Sequence, residues 1–374
     1  MKFIATLALA LLTFSFSAAV EVERDIPHLM WGMQTPQMVV ESNGNAWFGM
    51  TNPTDDPYNA LGQVYLDDGT NETLLFQVEG GVRQGMFLGL TEGYVHAVGV
   101  RQLDKVLHTR IDTNTHIPET VDTSILGINN YYPAISVDKT GSKIYFAAMH
   151  WTKSFGRVAA YDVNKNQWFS PNEIEYIDRL ENEGIYPSIV ANRHRLFVNF
   201  ETQGDVCEDF PGPVCREKVL TFEMSEYGQD TDDVYTTAIQ EGENQPMNMG
   251  MVEADNGYKY VLISHRSHGT HFDSTPQGSR LIVINGGKNI GRYDVPDHAF
   301  SSNLGYWNDK FWVSQYGVIS SSQDGKSWKA EHRFDVSPYD RVRVHFPQQN
   351  ESDTLTILVA TASGGNQTIK VMRF

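Results

Sequence analysis

YYPAISVDKTGSKIYFAAMHW, from Tyr131 to Trp151, decides the fold. Two arms alternate aromatic and β-branched residues, and Asp138, Lys139, Thr140 and Gly141 supply turn chemistry between them, so the stretch predicts a β-hairpin. The same phrase recurs on both sides of it. Upstream it reads TPQMVVESNGNAWFGM from Thr35 and QGMFLGLTEGYVHAVGV from Gln84. Downstream it returns as IYPSIVANRHRLFVNFE from Ile185, QPMNMGMVEADNGYKYVLISH from Gln245 and SSNLGYWNDKFWVSQY from Ser301, and VRVHFPQQNESDTLTILVAT from Val342 closes the series. A more variable strand pair follows each phrase, as in GRVAAYDVNKNQWF from Gly156. Four strands in about every 45 to 50 residues is the signature of propeller blades. The expectation is an all-β chain forming a single seven-bladed β-propeller of four-stranded antiparallel blades. NEIEYIDRLENEG from Asn172 is the one place where a short helix is expected, as an excursion between blades.

Outside the repeat, the first residues read as a leader. Lys2 provides a positive charge, Phe3 to Phe16 an apolar run, and Ser17 and Ala19 the small residues of a cleavage site after Ala19. The run is shorter than the roughly 20 apolar residues of a transmembrane anchor. Residues 1–19 are therefore expected to be a signal peptide and residues 20–374 the propeller, secreted or periplasmic, with no membrane insertion. The formal net charge of −17 opposes nucleic acid as a partner, because the average field repels polyphosphate. Cys207 and Cys215, the chain's two cysteines, flank a Pro-Gly-Pro turn, and in an oxidising compartment they are expected to form a disulfide.

The antiparallel arms of each phrase bring the start of the first and the end of the second to one blade edge. Around an axis those edges form a shared face, where propellers place ligands. Its candidate catalytic residues are His150, His265 and Tyr186, groups able to move protons. Asn130, Tyr132, Glu201, Arg101, Arg266 and Tyr316 are the candidate ligand-positioning residues. Such a ring suits a polar, hydroxyl-rich ligand, a polysaccharide or other glycan. His265, His268 and His271 fall three apart with Asp273 behind them. Alternation along a strand would separate them, whereas a loop beginning near Ser267 could bring them together on a zinc-like ion; a solvated loop is expected, no metal is assigned, and whether the three bind one stays open. Cofactor and oligomeric state stay open.

Two resemblances bear on function. SQDGKSW, Ser322 to Trp328, resembles a shortened Asp-box of the sialidase-like, BNR-repeat superfamily, a turn between outer strands in which Asp and Ser bond backbone and Trp packs beneath. The edge residues resemble propeller polysaccharide lyases of the ulvan type. In that pattern His150 matches a strand-end histidine and Tyr186, before Pro187, a tyrosine. Asn130 stands where a first histidine would be, and Glu201 or Thr202 where an arginine would be. The resemblance implies a carbohydrate-active propeller, a lyase or hydrolase. A non-catalytic propeller binding a glycan or protein through the same face is the alternative. A sialidase would need an arginine triad, which the sequence lacks.

Overall fold

A computed structural model describes residues 22–25, 37–52, 61–78, 82, 85–101, 105–128, 130–150, 155–169, 172–174, 184–191, 195–202, 218–225, 235–239, 245–266, 276–285, 288–295, 303–315, 317–335, 341–363 and 366–374. Six blades are each wound from consecutive strands, ordered first to fourth. Blade I comprises Gln37–Val40, Ala46–Asn52, Leu61–Asp67 and Glu72–Val78. Blade II comprises Met86–Thr91, Tyr94–Arg101, Lys105–Asp112 and Pro118–Thr120. Blade III comprises Asn130–Val137, Lys143–His150, Phe155–Asp162 and Gln167–Trp168, and Asn172–Ile174 also pairs with its third strand. Blade IV comprises Gly184–Ala191, Arg195–Thr202, Lys218–Ser225 and Tyr235–Ile239. Blade V comprises Gln245–Glu253, Lys259–Arg266, Pro276–Asn285 and Lys288–Val295. Blade VI comprises Gly305–Trp307, Lys310–Gln315, Val318–Ser322 and Lys329–Arg333.

The remaining sheet is a composite, in the order Val22–Asp25, Asn366–Arg373, Thr356–Ser363, Arg341–His345. The expected seven equivalent, four-stranded antiparallel blades are thereby corrected. Six blades run consecutively along the chain, and a sheet shared between its two ends closes them. Two sheets carry a fifth strand, and Gln349–Asn350 pairs in parallel with the first strand of blade I. A row of identical units would leave strand edges unpaired where it starts and stops, and exchanging strands between those ends covers them. Of the stretch from Asn172 where a short helix is expected, Asn172–Ile174 is extended, and residues 175–183 lie outside the described ones.

Each sheet is sandwiched by neighbours, so its inner strands are apolar on both faces rather than on alternate residues. Val39, Trp47, Leu88 and Ala97 join blades I and II, and Val98, Ile135, Phe146 and Trp168 join II and III. The first strands of III and IV pack together, with the Ala191 amide donating to Ser136 Oγ at 3.1 Å. Val190 meets Met251 and Ile263 between IV and V; Leu262, Leu281 and Phe311 join V and VI. Trp312 and Ile319 pack on Val344 and Ile357 of the closing sheet, which in turn packs Leu358 and Val371 on Met38 and Phe48 of blade I. The ring is complete.

Polar side chains stitch the closure where backbone rungs run out. Asn303 donates from Nδ2 to the Phe346 carbonyl and accepts from its amide, both at 2.8 Å, imitating a strand partner. Gln349 does the same for Leu90 of blade II, at 2.9 and 2.6 Å. Buried Asp67 of blade I accepts from Arg373 of the closing sheet at 2.6 Å and from the Gly69 amide at 2.8 Å.

Between blades I and II, a side chain at Gly49 would run into the Met86 carbonyl, and one at Gly99 would come within 2.7 Å of Met86 Sδ. At position 49 glycine is required because two sheets approach at backbone distance, whereas Gly99 faces the side chain of Met86, its rung partner within blade II. Gly49→Ala is expected to destabilise the protein toward the upper end of the about 1–3 kcal/mol typical of overpacking, since the obstacle is main chain. Denaturant midpoints compared with wild type check this.

Candidate functional site

The mouth face is formed by the starts of first strands and the ends of second strands. In blade III, Asn130 pairs with His150 and Tyr131 with Met149, after which the register shifts before Ala134 pairs with Ala147. Blade IV repeats this: Gly184 with Thr202, Ile185 with Glu201, then a shift before Ser188 meets Asn199. Both shifts fall at a Tyr-Pro pair, Tyr132-Pro133 and Tyr186-Pro187, where one extra residue is inserted as a bulge and the proline has no amide to donate. In blade V, Gln245 pairs with Arg266 and Pro246 with His265, and the shift falls between Asn248 and Gly250. Arg101 ends the second strand of blade II and is exposed.

Strand phase sorts these residues. His150 continues the phase of Ile144, Phe146 and Ala148, packed toward blade II. His265 continues that of Val261 and Ile263, packed toward blade IV, and Arg101 that of Val95 and Ala97, packed toward blade I. Each phase therefore relates to the preceding blade in the same way. Glu201 stands in the opposite phase, that of Phe197, whose rung partner Val190 packs toward blade V. Arg266 is likewise one step from His265. The counterpart of the two histidines in blade IV is Thr202.

Asn130 is fully buried, placed beneath the face. Its Nδ2 lies 3.3 Å from the Leu126 carbonyl and 3.4 Å from that of Gly127, and its Oδ1 accepts from Arg157 Nη1 at 3.0 Å. Arg157 is 6% exposed and the same nitrogen reaches the carbonyls of Leu126 at 3.0 Å and Ile128 at 3.2 Å. The sequence reading missed Arg157. Its signal was a lone cation in the apolar third strand GRVAAYD.

Tyr316, Cys207, Cys215, His268, His271 and Asp273 lie outside the described residues. Among the described residues no three metal-ligating side chains gather, and no helix is long and apolar enough to cross a membrane.

A second polar group, also missed, lies inside the II–III seam. Trp168 Nε1 donates to His108 Nδ1 at 3.1 Å, His96 Nδ1 and His108 Nε2 are 2.9 Å apart, and His96 Nε2 is 2.9 Å from Thr91 Oγ1. Indole only donates, which fixes the whole series. His108 accepts at Nδ1 and donates from Nε2; His96 accepts at Nδ1 and donates to Thr91, whose hydroxyl lies 3.3 Å from the Tyr94 carbonyl. Both imidazoles must be neutral. Burial, assisted by the Arg110 charge, pushes His96 down to about 3. Burial, then His96 and Arg110, holds His108 well below the usual histidine range.

The opposite face carries the outer turns. Asp324 Oδ1 accepts the Lys326 and Ser327 amides at 2.8 Å and the Ser322 hydroxyl at 3.0 Å, and Trp328 packs on the V–VI core. Those backbone donors lower the Asp324 carboxyl. Asp68 and Asp112 brace the outer turns of blades I and II in the same manner, and Asp162 that of blade III. The Asp-box phrase is therefore one instance of a turn that blade geometry requires, and it does not single out the sialidase-like family.

The solved structures that share this shape include carbohydrate-active propellers. A family PL25 polysaccharide lyase, an ulvan lyase, superposes with a TM-score of 0.63 at 12% identity, over 92% of this chain and 93% of that one. Polysaccharide lyase Uly1 gives 0.61 at 9% identity, over 94% and 92%. The α-L-arabinofuranosidase Arb93A from Fusarium graminearum gives 0.51 at 13% identity, over 95% and 97%. At such identities the agreement is one of fold. No family model matches the sequence, and no curated protein does.

Proposed function

We propose that the chain is a secreted carbohydrate-directed propeller that cleaves an acidic polysaccharide by β-elimination at the mouth of blades II to V. The observation that carries this is the paired Tyr-Pro bulge of blades III and IV beside the Asn130–His150 rung, with His265 and Arg101 in the phase of His150. Bulges concentrate next to active sites because they re-aim a strand's residues. The lyase and hydrolase propellers of similar fold support the substrate class.

β-Elimination removes the proton α to a uronate carboxylate and expels the glycosidic oxygen, leaving a ring double bond and a protonated leaving hydroxyl. It needs a base, an acid and a positive group on the carboxylate. His150 and His265 are assigned the proton transfers with Tyr186 as partner, and Arg101 and Arg266 the carboxylate. Tyr132, Glu201 and Tyr316 hold the sugar hydroxyls. His150→Ala is expected to lower the release of ultraviolet-absorbing unsaturated uronate from a polyuronate panel by about 100-fold or more, the scale of a lost general acid or base. Unsaturated product at wild-type rates from that variant would sink the assignment. A binding-only propeller is favoured by one detail, that blade IV ends its second strand in Glu201-Thr202 with no arginine. It would show saturable glycan affinity and no product from the wild-type protein.

A further inference from the structure

We infer that Arg157 is a positioning residue for the mouth, a brace that fixes the start of blade III's first strand opposite His150. The inference rests on the glycan-site reading given above. Arg157 lies on the third strand, its rung partners being Ala148 on the second strand and Glu173. From there its Nη1 crosses to the first strand and the segment that precedes it, dividing two hydrogens among the Leu126 and Ile128 carbonyls and Asn130 Oδ1. The two carbonyls belong to the connection between blades II and III, which holds a turn of 3-10 helix, Ser124–Leu126, and Asn130 opens the first strand of blade III.

The connection is tied upstream by the Val121 amide on the His108 carbonyl at 2.9 Å and the Thr123 hydroxyl on the Val106 carbonyl at 2.7 Å. Leu126 is buried, whereas Ile125 and Ile128 are exposed, at 43% and 53%. Gly127 turns the chain with φ +66°, a conformation that favours glycine, and a side chain there would sit 3.8 Å from Arg157 Nη1. Taking a guanidinium out of water costs free energy that hydrogen bonds to several acceptors must offset, so a buried arginine spanning from third strand to first is a demanding way to hold a loop. What it holds is the backbone position of Asn130, and hence the rung shared with His150.

Arg157→Lys keeps the charge and loses the planar fork. The expected result is a cooperative melt, amides of residues 126–131 exchanging about tenfold faster or more while the Lys143–His150 ladder stays protected, and kcat on a polyuronate down about tenfold with KM nearly unchanged. Asn130→Ala, which removes one acceptor, should give a smaller change in the same amides and covers the case in which Arg157→Lys does not fold. Exchange at 126–131 unchanged in the folded variants, or faster exchange with kcat intact, overturns the proposal. A wild-type protein with neither product nor glycan affinity overturns the site reading instead, and faster exchange confined to 126–131 then still upholds the brace.

Discussion

Acidification from pH 6.5 toward pH 3.5 is expected to cost the folded protein on the order of 4 kcal/mol through His96 alone. In the unfolded chain this histidine takes up a proton near its ordinary value of 6.5, whereas in the fold it stays neutral down to about 3. The unfolded state therefore binds more protons throughout that window, and stability falls as pH falls. The contribution is fully present above 6.5. Geometry supplies the reason. Protonating His108 would set its Nδ1 hydrogen against the Trp168 indole hydrogen, and protonating His96 would set two imidazole donors face to face at 2.9 Å. Arg110 is the cation whose charge acts on both rings, Tyr161 packs edge-on to both, and Glu119, which pairs with Arg110, lies at the surface. Glutamine can accept from the indole and pass a hydrogen on, so the double variant His96→Gln/His108→Gln should flatten the pH dependence of the denaturant midpoint. An unchanged slope in that variant would show the titration to lie elsewhere.

The second large effect is expected at the closure. Arg373→Met takes the guanidinium from the Asp67 carboxylate, which has no exposure to water, and breaking a buried pair from one side costs about 3–5 kcal/mol. Asp67→Asn/Arg373→Met should recover part of that loss, because the charge left behind is what makes the single change severe. Unfolding curves of the four proteins give the coupling. Additive losses would mean that the ion pair does not hold the closing sheet to blade I.

The hairpins were legible because each carries its evidence locally. Alternation, a turn residue and a β-rich return are visible within 20 or so residues, and Tyr131–Trp151 and Gln245–His265 fold as that pattern dictates. The closure was not. Val22–Asp25 carries no hairpin phrase, and nothing local in the phrases from Val342 and Ser301 shows that Gln349 bonds Leu90 or that Asn303 bonds Phe346. The phrase from Val342 looked like one more hairpin, yet its two arms are separated by a segment that leaves to pair with blade I.

The mouth shows the same division. Counting from the turns puts Arg101, His150 and Arg266 at the ends of their second strands, where the structure has them, but phase depends on how each blade packs against the next. Glu201 and His150 accordingly looked equivalent and are one residue out of step. Asn130 read as a ligand contact because polar strand starts usually meet solvent. Its burial follows from Arg157, a residue on another strand that no local pattern connects to it.

The strand exchange also sets an order on biosynthesis. Val22–Asp25 leaves the ribosome long before Asn366–Arg373 exists to receive it, so the nascent chain must carry an unsatisfied edge through translation. A circular permutant joining those two segments in one hairpin would remove that wait, and should refold faster than the natural connectivity while reaching the same assembled ring.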